Sequence, residues 1–177
     1  MSLLTICIYP DPVLRQKAQR VKNIDNGIQR LIDDMVETMH QAPGIGLAAN
    51  QVGRSLSVMV IHIQREESEY GLIVLINPEM VSCRGETTFE EGCLSVPEYY
   101  ANVARHEEVV VRGLDRRGEK IEITAGGLLA IALQHEMDHL EGKLFIDRIS
   151  PIARDIFKRR WKKKSKEQGE EPLLCLD

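Results

Sequence analysis

No apolar run in this chain approaches the roughly 18 consecutive residues that a membrane-crossing helix requires, so no bilayer-spanning segment is expected. The first ten residues carry no basic leader and no small-residue cleavage site, and Pro10, Asp11 and Pro12 interrupt their short apolar run. A secretory signal is therefore not expected. Excess positive charge is missing too. The formal net charge is -4, which argues against a nucleic-acid binder that works through overall charge, while leaving room for a local basic patch near the C-terminus. The four cysteines, Cys7, Cys83, Cys93 and Cys175, show no CxxC spacing. They are read as thiols or a metal ligand in a reducing compartment, not as a disulfide frame. No internal repeat is visible. These absences point to a cytoplasmic protein with no membrane association.

What is present suits one core. The chain has 177 residues, 43% hydrophobic and 28% charged, within the range of a single domain. Residues 1–166 are expected to form that domain, and 167–177 a flexible tail. Residues 9–22 read as loop because their prolines disfavour helix. From Asp25, a suitable N-cap, apolar residues at Ile28, Leu31, Ile32, Met35, Val36 and Met39 mark one face of an amphipathic helix that Pro43 and Gly44 stop. Strands are expected over Ser55 to Ile63 and Leu72 to Ile76, with Arg65 to Glu69 as a solvated hairpin loop and Asn77 and Pro78 as breakers. Further strands are expected over Met80 to Phe89, Val103 to Leu114 and Lys120 to Thr124, antiparallel because their links are short. Thr124 is the expected N-cap of a buried helix reaching about Leu140, with Gly142 as its stop. A last helix, 152–166, is strongly basic, with Ile152, Ile156 and Trp161 expected inward. The fold class is α+β: antiparallel sheets packed around a central helix, with an N-terminal amphipathic and a C-terminal basic helix.

The chemistry concentrates in Gln134-His135-Glu136-Met137-Asp138-His139. Two histidines four residues apart on a helix project side by side and can bind one metal ion, with the glutamate placed to take a proton from a bound water. The bland reading is a buried helix that carries two histidines. A catalytic site of this kind takes three protein ligands, so a third donor is needed. No histidine follows His139, which disfavours the zincin proteases, whose third ligand usually lies downstream. Upstream, Cys93 sits between Gly92 and the rigid exit at Pro97, where a thiolate would serve.

At this point the chain resembles the bacterial peptide deformylases. Gly44-Ile45-Gly46-Leu47-Ala48-Ala49-Asn50-Gln51 matches that family's GxGxAAxQ pattern, Glu91-Gly92-Cys93-Leu94-Ser95 its EGCLS pattern, and Gln134 to His139 its QHExDH pattern. The likeness extends from Tyr9-Pro10-Asp11-Pro12 to about Leu144. It implies a metal-dependent hydrolase that removes the N-terminal formyl group from formyl-methionine of newly made polypeptides and releases formate. Cys93, His135 and His139 would bind one divalent ion, Fe2+ as the usual native metal, with Zn2+ or Ni2+ able to replace it. Glu136 would act as general base toward the metal-bound water that attacks the formyl carbon, then as acid. The Gln51 amide and the Leu94 N–H would meet the developing oxyanion.

The resemblance also assigns a substrate surface. Backbone at Ile45 and Gly46 would pair with the peptide like an added strand. Leu128 and Ile131, one or two turns before His135 on its face, would line a pocket for methionine. Glu91 and Gly92 border that surface, and Glu91 is expected to pair with Arg105. Tyr100 and Ala132 stand where some members carry arginine and cysteine. Helix 152–166 is similar to the one by which some members dock on the ribosome. The rivals to this reading are a zincin-like metallopeptidase and an inactive deformylase-like binding protein.

Overall fold

The computed structural model describes residues 2–63 and 70–168, so the expected loop at 65–69 and the tail from residue 169 onward lie outside the described residues. Asp25 caps the first helix as expected: its carboxylate accepts the Ile28 N–H at 3.0 Å, and α1 runs Asn26–Gln41. Seven strands follow, β1 Gly46–Ala48, β2 Val58–Ile61, β3 Ile73–Arg84, β4 Thr87–Cys93, β5 Val96–Arg105, β6 Glu108–Leu114 and β7 Lys120–Gly126. Helix α2, Gly127–Leu140, and helix α3, Pro151–Gln168, complete the order. Five strands form one antiparallel sheet in the order β1-β2-β3-β6-β7, and β4 and β5 pair as a separate hairpin. The chain is thus α+β, as its sequence predicts.

The period of two along β2 explains how the layers assemble. Val58 and Val60 point to one side, where they meet Ile28, Ile32, Met35 and Met39 of α1. Met59 and Ile61 point to the other and join Leu75, Val111 and Ile123 against Ala130, Leu133 and Leu140 of α2. Helices cover both faces, so β2 is apolar at every position. At 25 cal/mol per Å² of apolar surface, each such side chain contributes roughly 1.5 to 3 kcal/mol of burial. A third cluster ties Cys7 and Leu14 to Val96, Val103, Phe145 and Phe157 beneath α3.

Several boundaries differ from expectation for local physical reasons. Asn77 and Pro78 do not end the strand: β3 runs through them to Arg84 because the ladder with β6 skips from Ile76 to Glu79. Asn77 takes a left-handed φ of 54° at this bulge, and its side chain bonds the Val21 N–H and carbonyl, each at 2.9 Å. The Val103 to Leu114 run is two strands, divided at His106 and Glu107. Thr124 pairs with Val110 inside β7, so the cap of α2 falls to Gly126. On α3 the inward face is Ala153, Phe157 and Trp161, while Ile152 and Ile156 are exposed. Phe157 and Trp161 find aromatic partners in Tyr9 and Tyr99, which turns the helix about 100° from the expected face. Among the described residues Cys83 and Cys93 are free thiols.

Candidate metal centre

Three side chains from two elements converge. Cys93 ends β4, just before the two-residue turn Leu94-Ser95 into β5, where Cys93 pairs with Val96. His135 and His139 lie one turn apart on α2, on the side facing that hairpin. The His139 Nε2 is 3.2 Å from Cys93 Sγ and 3.3 Å from His135 Nε2, and the three donor atoms all fall within 4.8 Å of one another. Sulfur and nitrogen ligands about 2.0 to 2.3 Å from one tetrahedral ion lie about 3.3 to 3.6 Å apart. The observed spacing therefore fits a single metal with very little adjustment. Two imidazole nitrogens and a sulfur this close repel unless a proton or a cation lies between them.

Neighbouring groups fix which nitrogen is presented. His135 Nδ1 meets Glu91 Oε2 at 2.9 Å, so the ring offers Nε2 to the centre. Burial opposes charge on His135, yet Cys93 and Glu91 beside it push its basicity well above the ordinary imidazole value. His139 moves well below that value, through burial and then the charge on His135. Phe145 stacks on the His135 ring with centroids 6.1 Å apart. Glu91 is itself held, because burial raises its pKa but the Arg105 guanidinium, donating at 2.6 and 2.9 Å, and His135 bring it down to about 2. The expected Glu91 and Arg105 pair is present.

Glu136 faces the centre from the next helical position. Burial raises its pKa to about 7, against the attraction of His135 and helped by the charge on Glu91. Its Oε2 is buried with no hydrogen-bond partner among the described residues, an atom aimed at something other than protein. A side chain at position 46 would place its Cβ 2.4 Å from Glu136 Oε1, so Gly46 is what lets β1 lie against the carboxylate. Gln51 is buried in the short turn Ala49–Val52, where its Oε1 accepts the Ala48 N–H at 2.9 Å. Its Nε2 lies 3.5 Å from Cys93 Sγ and 3.2 Å from Ser95 Oγ.

A cleft of about 440 Å³ opens on this cluster, bordered by Ile45, Gly46, Gln51, Glu91, Gly92, Cys93, Leu94, Leu128, Ile131, His135 and Glu136. Every candidate ligand, catalytic and substrate-surface residue singled out in the sequence lines it except His139, which sits one turn deeper; Arg105, expected only as the partner of Glu91, does not. Among the described residues β1 is the edge strand of its sheet, paired with β2 alone, and Ile45 and Gly46 border the cleft where it begins. A Cβ at Gly92 would fall 2.6 Å from the Tyr100 ring, which lies across that glycine at the rim.

Other participants were not legible. Asp138 accepts from Arg105 Nη1 at 2.6 Å and from Arg148. Gln134 spans from α2 to the turn between β5 and β6, accepting the His106 N–H and donating to its carbonyl, both at 2.9 Å. Ser95 orients Gln51, and Phe145 orients His135. Only the position of Asp138 and Gln134 inside the helical motif signalled them; for Arg148 and Phe145 no local pattern exists.

A cysteine sulfur, two helical imidazoles, a buried glutamate and an open cleft suit a metallohydrolase with a candidate third donor upstream of its His-Glu-x-x-His helix. Comparison with known proteins sharpens the class. Residues 3–155 match the family model described as polypeptide deformylase, and the chain belongs to that family. It is 69% identical over 167 residues to a peptide deformylase of Syntrophobacter fumaroxidans, covering 94% of this chain and 98% of that protein. The structure of a peptide deformylase from Legionella pneumophila superposes with a TM-score of 0.87 at 48% identity, covering 97% of this chain and all of that one. A Met-Ala-Ser-bound class I type b peptide deformylase from Acinetobacter baumannii superposes with a TM-score of 0.80 at 34% identity, covering 84% of this chain and 99% of that one. This chain is accordingly an enzyme, a metal-dependent hydrolase that removes the formyl group from the N-terminal formyl-methionine of newly made polypeptides. Neither the metallopeptidase nor the inactive binding protein is favoured. No helix among the described residues is long and apolar enough to cross a membrane.

Proposed function

We propose that Cys93, His135 and His139 hold one divalent ion, natively Fe2+, with Zn2+ or Ni2+ able to replace it. The convergence of the three donor atoms within 4.8 Å carries this reading. Thiolate and imidazole suit several first-row metals, so metal analysis of anaerobically purified protein decides identity. When bound, the ion would act as a Lewis acid, lowering the pKa of water and polarising the formyl oxygen.

The protein's own groups do the rest. Glu136 takes a proton from the attacking water and returns it to the departing amine; its unpartnered Oε2 and raised pKa, near the operating pH, support both directions of transfer. The Gln51 amide and the Leu94 backbone N–H stabilise charge that develops on the formyl oxygen. Ile45 and Gly46 receive the peptide backbone along the edge of β1, Leu128 and Ile131 receive the methionine side chain, and Glu91 and Gly92 form the opposing wall. A peptide of the Met-Ala-Ser kind, as in the Acinetobacter structure, fits an extended cleft of this size. The test is formate release from formyl-Met-Ala-Ser by anaerobic protein. No formate would defeat the assignment, and internal cleavage of an unblocked peptide would favour a peptidase.

Two further assignments rest on composition and packing. Residues 1–166 are read as one catalytic domain, supported by the cluster that joins Cys7 and Leu14 to Phe157; α3 itself continues to Gln168. Exposed Lys158, Arg159, Arg160, Lys162 and Lys166 on α3 suit a contact with ribosomal RNA, and an activity on newly made polypeptides supports a cytoplasmic location. Reversing the charge at Lys158, Arg159 and Arg160 should abolish salt-sensitive ribosome binding; unchanged affinity would refute the contact.

A further inference from the structure

His135 stands at the inner end of an ionic chain that runs beside α2 toward a second cleft. Glu91 Oε2 lies 2.9 Å from His135 Nδ1. Arg105 grips both oxygens of Glu91 through Nε and Nη2 and reaches Asp138 Oδ2 with Nη1, at 2.6 Å. Arg148, just past the turn Phe145–Asp147, then donates through Nε and Nη2 to the two oxygens of Asp138. Side-chain exposure rises along this chain, from 3% at Glu91 and 1% at Arg105 to 10% at Asp138 and 41% at Arg148. A second cleft of about 400 Å³, separate from the substrate cleft, is bordered by Arg105, Asp138 and Arg148. The chain therefore begins at solvent and ends on a metal ligand.

Charges alternate along it: cation, anion, cation, anion. Each interior group has both neighbours occupied, so the balance depends on the terminal cation. Without Arg148, two buried carboxylates compete for the single guanidinium of Arg105, and Asp138 Oδ1 loses its partner. An under-compensated buried carboxylate draws donors toward itself. Arg105 would move from Glu91 toward Asp138, and Glu91 would lose the grip that aims it at His135.

We propose that Arg148 is a positioning residue of the metal centre, holding Asp138 so that Arg105 stays on Glu91 and Glu91 keeps the His135 ring oriented. This rests on the metal reading above and assigns a function at that site to a residue outside all three motifs. The alternative is a purely structural tie between α2 and the start of α3.

The test uses cobalt-loaded protein: unaltered, Arg148→Met, Arg148→Lys, Glu91→Gln and the combined Arg148→Met/Glu91→Gln. Three quantities are read: the visible cobalt spectrum, the rate of cobalt release to a chelator, and thermal stability. Changing groups that orient metal ligands typically costs about 10- to 100-fold in metal affinity, and an effect relayed through three contacts should fall near the lower end. Arg148→Met should release cobalt about 10-fold faster with an altered spectrum, and Arg148→Lys, which keeps the charge but not the fork, should lie between. In the Glu91→Gln background, adding Arg148→Met should change release by less than about twofold, because the link it acts through is already cut. An equal acceleration in both backgrounds overturns the proposal, as does lowered thermal stability with unchanged release. If Arg148→Met does not fold, Arg148→Lys decides alone: native release and spectrum overturn the proposal. Failure of the unaltered protein to show a cobalt–thiolate band would refute the metal assignment itself, a distinct result.

Discussion

Arg105 donates to both oxygens of Glu91, at 2.6 and 2.9 Å, with neither side chain more than 3% exposed. A fork of this kind fixes a carboxylate in position and plane, which a single contact cannot do. The orientation of His135, a candidate metal ligand, is thus set by a pair neither of whose members belongs to the candidate ligand set.

Glu91→Gln should keep the fold of the substrate cleft but loosen the His135 ring. The amide can still meet Nδ1, yet it carries no charge to hold Arg105. Metal affinity is expected to fall about 10- to 100-fold, measured by competition with a chelator. Native affinity would contradict the role given to Glu91.

Glu136→Gln removes the proton carrier and leaves the three ligands in place. A loss of kcat of about 10²- to 10⁴-fold is expected, with full metal content by elemental analysis. Activity within about threefold of native would assign proton transfer to another group.

The same substitution carries a pH signature in the metal-free protein. Burial raises the Glu136 pKa from 4.5 to about 7, so the folded state favours the protonated carboxyl. Its contribution is present below pH 4.5 and is lost as pH rises to about 7, because the unfolded chain then ionises more readily. Glu136→Gln does not titrate, so its stability relative to native should improve across that window, by about 2 to 3 kcal/mol at pH 8. Denaturant midpoints at pH 4.5 and pH 8 measure it, and an equal difference at both would contradict the raised pKa.

Gly46→Ala should damage catalysis more than folding. The new methyl group meets Glu136 Oε1 at 2.4 Å and the carboxylate must move, while β1 keeps its pairing with β2. Displacing a reacting group by about 1 Å costs about 10²-fold in kcat. The expected result is that loss with a near-native melting temperature.

Gln51→Ala removes a proposed donor to the oxyanion, for an expected loss of about 10²- to 10³-fold in kcat. It also strips the buried Ala48 N–H of its acceptor, a cost of about 1 to 3 kcal/mol in stability. Gln51→Glu keeps an acceptor for that N–H but removes the donor and buries a carboxyl, so it should not recover rate.

The sequence was most informative where one residue's type and spacing determine its role. Asp25 as cap, the periodic face of α1, and His135 and His139 at one-turn spacing all appear as read. It was less informative where a choice depends on distant partners. Ile152 and Phe157 are equally apolar candidates for burial, and only the aromatic neighbours Tyr9 and Tyr99 decide for Phe157. Pro78 reads as a strand breaker unless a bulge is already known to include it. Arg148 resembles any surface arginine until Asp138 is found beneath it, because an ionic partner leaves no periodic trace.

The two histidines belong to α2 and the sulfur to the hairpin of β4 and β5, 46 residues from His139 along the chain. Neither element can assemble the ligand set alone, since the helix offers two donors and the hairpin one. An ion held by the proposed ligands would be captured tightly only once the hairpin has docked on the large sheet's helix. It would join two parts that share no backbone ladder, and its binding energy would become part of what keeps them together. Stripping the metal should first loosen the hairpin, which is also the wall that holds the substrate.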